Sequence, residues 1–393
     1  MHALLLTVFI DTVGFGIVLP LLPYFAGQFG AQPGIVPLLA TVYSFTQFLM
    51  APVWGRLSDK IGRRPIILIT IAGIMLGYLW LAAAGSLLML FLARAFTGAM
   101  ASNGGVINAY VADVTSPGDR AKGMGRMGAA HGLGFVMGPA IGGLLAGNDP
   151  VNPNLQLPFL VAAGLSAIAL IIGWFQVRET VSAESLRAAR VQVGGRLATF
   201  CDALGRPQLG LLMLILMMTP FVFAGVESVF VVWSSHTLGW GATENGWIYT
   251  FMGVVAVGVQ IFVVGRLARA IGEHRAIRLG AVMIGLGVVL LPFMSGYVGL
   301  CVAFLLIVGG VCINNPSLNS IISQQVKEDE RGRMLGISQS CSALARIIGP
   351  VWVGFAYGAF GPSWPFLSGA LVMAVMFMLA LRIVPLGPGD DKS

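Results

Sequence analysis

The chain has 393 residues, of which 57% are apolar and only 10% charged, with a formal net charge of +7 and a mean hydropathy of +0.87. A soluble domain carries about a quarter charged residues, so these values exclude a water-soluble enzyme, a disordered chain and a fibrous rod. The question is how often the chain crosses a bilayer.

A spanning helix needs about 20 apolar residues. In chain order, apolar runs fall at 3–25, 35–56, 65–84, 87–110, 123–147 and 156–178, and again at 209–235, 242–268, 275–294, 297–321, 334–358 and 362–384. The spacing predicts an all-α integral membrane protein with twelve transmembrane helices. Runs three and four meet at Gly85-Ser86, and runs nine and ten at Ser295-Gly296. The first run lacks the basic flank and cleavage site of a secretory signal and is read as a spanning helix. Cys201, Cys301, Cys312 and Cys341 show no metal or disulfide spacing.

Of the 23 Lys and Arg, 21 fall in alternate connections, between runs 2/3, 4/5, 6/7, 8/9 and 10/11 and after run 12. The other connections carry Asp149, Glu244 and His236 and no Lys or Arg. Basic loops stay cytoplasmic, so both termini are expected inside, and the positive charge reflects topology rather than nucleic-acid binding. Residues 179–208 form the one long polar connection, with a short surface helix expected. The expected organisation is a six-helix bundle over 1–180, a cytoplasmic linker over 181–208 and a second six-helix bundle over 209–393.

The halves repeat. Gly55, Leu57 and Gly62 recur as Gly265, Leu267 and Gly272, shifted by 210. Arg120, Gly138 and Pro139 recur as Arg331, Gly349 and Pro350, shifted by 211. Two pseudo-symmetric six-helix bundles are a transporter architecture, with a substrate site near the midplane where the repeats meet.

Several motifs carry more than topology. Gly55-Arg56-Leu57-Ser58-Asp59-Lys60-Ile61-Gly62-Arg63-Arg64 lies between runs 2 and 3. Its glycines permit close approach and a tight turn, and Asp59 is a carboxylate able to accept from a helix N-terminus among arginines. In the second copy Arg269 stands where the acid would be. Gly134-x3-Gly138-Pro139-x2-Gly142-Gly143 in run 5 provides a kink and a tight seam. In run 4, Arg94, Gly98, Ala101, Gly105 and Asn108 recur at steps of three and four, one predicted helix face.

Together with Leu90-x3-Arg94-x3-Gly98 and the first-run segment Asp11-Thr12-Val13-Gly14-Phe15-Gly16, these motifs resemble the major facilitator superfamily, and within it the twelve-helix, tetracycline-efflux-like drug:proton antiporters. The resemblance covers essentially the whole chain. It implies a cytoplasmic latch at Gly55, Asp59, Gly62, Arg63 and Arg64, with Asp113 and Arg333 as partners. It implies antiport for the motif at Gly134, Gly138, Pro139, Gly142 and Gly143, and proton transfer for Arg94 with Asp11.

A charge at bilayer depth is expensive and should face a cavity or a partner. That criterion adds Glu227, in the outer third of run 7, and Arg346, near the middle of run 11, as proton-coupling candidates, with His131 in run 5. Tyr43, Gln47, Asn108, Met217, Phe221, Phe230, Gln260, Asn315, Asn319 and Gln339 are the candidate cavity residues. An apolar, aromatic and Met-rich wall with few polar groups suits a lipophilic ligand. There is no nucleotide, metal or hydrolase motif, so neither enzyme activity, metal nor cofactor is expected. The sequence therefore predicts a monomeric exporter in the bacterial inner membrane, driven by the proton gradient, that carries lipophilic or cationic small molecules and contacts protons and lipid. Alternatives are a lysolipid or metabolite transporter of the same fold, symport included, and a non-transporting sensor or passive channel.

Overall fold

The computed structural model describes residues 1–116, 119–147, 149, 153–180, 207–326 and 331–383, all of them helical or in short connections. The expected surface helix and most of the linker fall outside the described residues, as does Cys201. The helices are α1 (His2–Val18), α2 (Leu22–Gln28), α3 (Leu38–Ile61), α4 (Arg63–Ala82), α5 (Leu87–Met100), α6 (Gly104–Val114), α7 (Arg120–Ala146) and α8 (Gln156–Gln176). They continue with α9 (Pro207–Leu238), α10 (Ala242–Phe262), α11 (Val264–Ile271), α12 (Glu273–Leu290), α13 (Tyr297–Gln324), α14 (Arg331–Phe360) and α15 (Trp364–Ala380).

Every predicted apolar run is helical. Among the described residues nine helices are long and apolar enough to cross a membrane. The runs outside that set are the second (α3, whose C-terminal end carries Arg56, Asp59 and Lys60), the fourth (split into α5 and α6) and the twelfth (α15, 17 residues). Helices suit such a chain because each satisfies its own backbone hydrogen bonds where water is absent. Large exposed side chains are accordingly apolar, among them Leu88, Phe175, Val298 and Leu371.

Three predicted runs are interrupted. A 3-10 turn at Leu19–Leu21 separates α1 from α2, where Pro20 and Pro23 each remove an amide donor. The eighth run breaks at Val263, between α10 and α11. The fourth breaks at residues 101–103, so the single face expected from Arg94 to Asn108 does not exist as one helix. Freed carbonyls there gain side-chain donors: the Trp54 indole N–H to Ala99 (2.7 Å) and the Gln47 amide to Ala101 (3.1 Å). Asn103 donates to Thr70 Oγ1 at 2.8 Å. A break costs little when its backbone groups are re-satisfied in this way.

Contacts divide the chain into two compact units, one formed by Met1–Val193 with Glu227–Val257, the other by Gly194–Val226 with Gly258–Ser393. In the first, α1 packs on α7 and α8, α3 on α5, and α4 on α8. An apolar cluster of Leu4, Val8, Ile67, Ile71, Ile107 and Val111 fills its inner part. In the second, α12 packs on α13 and α15. The repeat is visible in each unit. Gly62 (φ +105°) joins α3 to α4, and Gly272 (φ +76°) joins α11 to α12, both in the left-handed region that a side chain resists. Gly138 lies against Gly16 of α1, and Gly349 against Phe221 of α9. Cys301, Cys312 and Cys341 are free thiols within helices.

Candidate functional site

The Gly55–Arg64 segment builds a charged cluster at the junction of α3 and α4. Arg63 forms an ion pair with Asp59, one turn back along the chain. Its guanidinium also donates to Ser58 Oγ (2.7 Å) and reaches Asp113 Oδ2 at the end of α6 (3.5 Å). Thr180 Oγ1 donates to the same Asp113 oxygen at 3.0 Å.

The α4 N-terminus is occupied by a different acid from the one expected. Glu179, just beyond α8, accepts the backbone N–H of Arg63 (2.9 Å) and of Arg64 (3.1 Å), while Asp59 is spent on Arg63. Gly62 leaves the space, since a Cβ there would strike the Glu179 carboxylate. Arg64 then closes the far end of α8, donating to the Trp174 carbonyl (2.7 Å) with its guanidinium 5.8 Å from the Trp174 ring centroid. Sequence reasoning missed Glu179 because a lone acid in a polar stretch carries no local signal. Replacing a capping side chain by alanine costs about 1 kcal/mol, so Glu179→Ala is expected to lower the melting temperature measurably in a thermal unfolding scan. Glu179→Gln, which keeps acceptor oxygen but loses the charge facing the helix dipole, should fall between. An unchanged melting point in Glu179→Ala would show the cap to be dispensable.

Arg333 stands on α14 and its side chain lies outside the described residues. In the second copy of the loop, Arg269 folds back to the Gly265 carbonyl at 3.0 Å.

Deep in the first unit, helices α1, α3, α4 and α5 bring a second group together. Gly98 of α5 has no side chain, and the α3 backbone at Tyr43 sits against it. One turn earlier on α5, Arg94 is 2% exposed. Its guanidinium carbon lies 4.1 Å from the centroid of the Tyr43 ring. The Tyr43 ring packs in turn on Phe15 of α1, centroids 5.7 Å apart. Phe15 is four residues from Asp11, so the two share a helix face. Tyr78 of α4 rests against Gly14 and within electrostatic reach of Asp11, Tyr43 and Arg94. Among the described residues Asp11 Oδ1 and Arg94 Nε are both buried without a hydrogen-bond partner, and no ion pair joins Asp11 to Arg94.

The glycine motif of α7 faces two ways. Gly134 and Gly142 meet Thr12 and Ile17 of α1, as Gly138 meets Gly16, with Pro139 against the same glycine. Gly143 instead meets Ala242, Thr243 and Gly246 at the start of α10. Thr243 Oγ1 donates to the carbonyls of Gly143 (3.1 Å) and Gly147 (3.0 Å). Beside it, Tyr24 donates to the Trp240 carbonyl (3.0 Å) and accepts from Asn245 (2.7 Å), whose amide oxygen accepts from Ser234 (2.8 Å). This clasp was not legible in the sequence. A cavity of about 240 Å³ lies next to it, lined by Pro23, Tyr24, Gln28, Val231, Ser235 and His236 among others.

The other predicted residues are dispersed. Glu227 is half-buried on α9, its backbone carbonyl accepting from the Tyr249 hydroxyl (2.7 Å). Phe230 is fully buried between Trp233 and Tyr249. A His131 ring nitrogen lies 3.1 Å from the Met127 carbonyl of its own helix. Asn108 is exposed on α6 and Gln47 half-buried on α3. In the second unit Met217, Phe221 and Asn319 are half-buried, and Gln260, Asn315, Gln339 and Arg346 exposed.

The pattern that defines the Major Facilitator Superfamily matches residues 4–350 and 212–393. The chain belongs to this superfamily. The family and its relatives are transporters, not enzymes. The superfamily member described here is 32% identical to the class C tetracycline resistance protein of Escherichia coli, over 95% of this chain and 93% of that one. It is 26% identical to multidrug resistance protein 2 of Bacillus subtilis strain 168, over 95% and 92%. Such relatives put it in the drug:proton antiporter group of the superfamily. The fold is also that of the nucleoside transporter NupG, with a TM-score of 0.81 at 13% identity over 98% of this chain and 99% of that one. The protein is thus a membrane-spanning transporter of the major facilitator fold.

Proposed function

We propose that this superfamily member is a proton-coupled antiporter that exports lipophilic or cationic small molecules, drugs among them, by alternating access. The observation that carries the coupling is the pair of buried, mutually unpaired charges on α1 and α5: Asp11 with an unmet oxygen, Arg94 with an unmet nitrogen. A membrane charge without a fixed counter-ion is expensive and is kept for function. The names of its relatives, resistance proteins for tetracycline and for multiple drugs, support the direction and the ligand class.

In this reading the chain crosses the bacterial inner membrane twelve times with both termini cytoplasmic, as two six-helix halves joined by residues 181–208, and works as a monomer in lipid without a cofactor. Outward-facing, Asp11 or Glu227 takes a proton as substrate leaves, with His131 and Arg346 as further coupling groups. Inward-facing, proton release favours recapture of substrate. The cluster of Gly55, Asp59, Gly62, Arg63, Arg64, Asp113 and Arg333 latches the cytoplasmic side, and the α7 glycine motif enforces exchange. Tyr43, Gln47, Asn108, Met217, Phe221, Phe230, Gln260, Asn315, Asn319 and Gln339 supply the substrate cavity.

In proteoliposomes with an imposed pH gradient, tetracycline and ethidium serve as probes. Wild type is expected to accumulate at least one of them against its gradient. Asp11→Asn and Glu227→Gln should each lower uphill transport at least tenfold. Full uphill transport in both variants would overturn the proton-site assignment. Competition by lysophospholipid, with neither probe moved, would favour a lipid carrier of the same fold.

A further inference from the structure

Arg94 is a buried cation with no ion-paired carboxylate among the described residues, and the group under it is the face of Tyr43. The ring's negative π face attracts a cation, most strongly where water is excluded. Three features fix the contact. Gly98 lets the α3 backbone at Tyr43 approach α5 closely. Arg94 and Gly98 are one turn apart, so the guanidinium falls over the ring. Phe15 supports the ring from α1, four residues from Asp11.

Asp11 and Arg94 hold complementary unmet atoms, one acceptor and one donor, in the same bundle. Buried polar atoms are nearly always satisfied, so two such atoms point to a second arrangement in which they answer each other. From this geometry we infer that Tyr43 is the positioning residue that parks Arg94, giving the guanidinium two alternative seats, the Tyr43 ring and the Asp11 carboxylate. The role in transport rests on the proton-coupled reading above; the parking itself does not. While Asp11 carries its proton, the ring holds the arginine. Once the proton leaves, the carboxylate competes for it, and movement of Arg94 from α3 toward α1 registers the change. In this role Tyr43 acts on Arg94 through its ring rather than its hydroxyl.

The test replaces residue 43 by phenylalanine and then by phenylalanines carrying one, two and three ring fluorines, which withdraw π density at nearly constant volume and so avoid the folding failure that Tyr43→Leu risks. Two readouts are taken. The first is the rate at which phenylglyoxal modifies Arg94, followed by peptide mass spectrometry. The second is tetracycline and ethidium transport, uphill with a pH gradient and by downhill exchange. Tyr43→Phe, which keeps the ring, should leave the modification rate of Arg94 within twofold of wild type. Along the fluorinated series modification of Arg94 should rise at least fivefold, while uphill transport falls at least tenfold. A flat modification series overturns the parking role. So does a Tyr43→Phe variant in which Arg94 reactivity rises as far as in the trifluorinated one, since the hydroxyl rather than the ring would then hold the arginine. Asp11→Asn and Glu227→Gln are run in parallel: if both keep uphill transport, the proton-coupled reading fails, and the modification series still decides whether Tyr43 holds Arg94.

Discussion

Alanine at Gly138 is expected to destabilise the first unit by about 1–3 kcal/mol, the usual cost of overpacking a close contact. A Cβ there would sit 2.6 Å from the Gly16 Cα and 2.6 Å from the Val13 carbonyl oxygen. Both obstacles are backbone of α1, so no rotamer change relieves the clash; α1 and α7 must separate. The neighbouring rungs share the geometry: a Cβ added at Gly134 would lie 2.9 Å from the Phe9 carbonyl oxygen, and one at Gly142 2.6 Å from that of Ile17. Separating the helices at Gly138 therefore loosens the whole seam, and transport should fall with stability. Gly128, on the same helix, has nothing within 4 Å of its would-be Cβ. Gly128→Ala gains helix propensity of about 1 kcal/mol and should hold or raise the melting temperature. Thermal unfolding of the two variants in one detergent checks the contrast. Equal melting temperatures would mean that the α1–α7 seam tolerates a methyl group and that the glycines serve something other than approach.

The seam also shows which parts of this molecule can be read from its residues alone. Glycines at i, i+4 and i+8 announce a close helix contact, because spacing along one helix fixes which positions share a face. The positive-φ turns at Gly62 and Gly272 follow from the repeat for a similar reason: only glycine adopts that backbone freely. Features that depend on a distant partner stay hidden. Glu179 takes the helix cap in place of Asp59 because the chain returns, 116 residues after Arg63, to the α4 N-terminus, which no local pattern records. Residues 101–103 can leave the helix because Trp54 and Gln47 of α3 donate hydrogen bonds to the carbonyls of Ala99 and Ala101, although the residues flanking the break keep a helical period. Asn245 finds Tyr24 across 221 positions. Periodicity identifies faces; tertiary contacts choose which polar group meets which.

Arg94→Leu should separate folding from function. The balance is set by two magnitudes. Keeping an arginine at bilayer depth costs about 2.5–3.5 kcal/mol on insertion scales, and a desolvated cation–π contact returns about 2 kcal/mol. No carboxylate partner is stranded when the arginine goes, since none is paired with it. The leucine variant should therefore melt no lower than wild type, while uphill transport of tetracycline or ethidium falls at least a hundredfold. Arg94→Lys is expected between the two: it keeps the charge, but a compact, strongly hydrated ammonium lacks the planar face that lies on a ring and the fork that meets a carboxylate. An arginine held only for packing predicts the opposite pattern, with stability and transport lost together and lysine restoring both. Adding Asp11→Asn to Arg94→Leu closes a double-mutant cycle. Two groups that serve one coupling step give a double variant hardly worse than either single one; additive losses would show that Asp11 and Arg94 work independently.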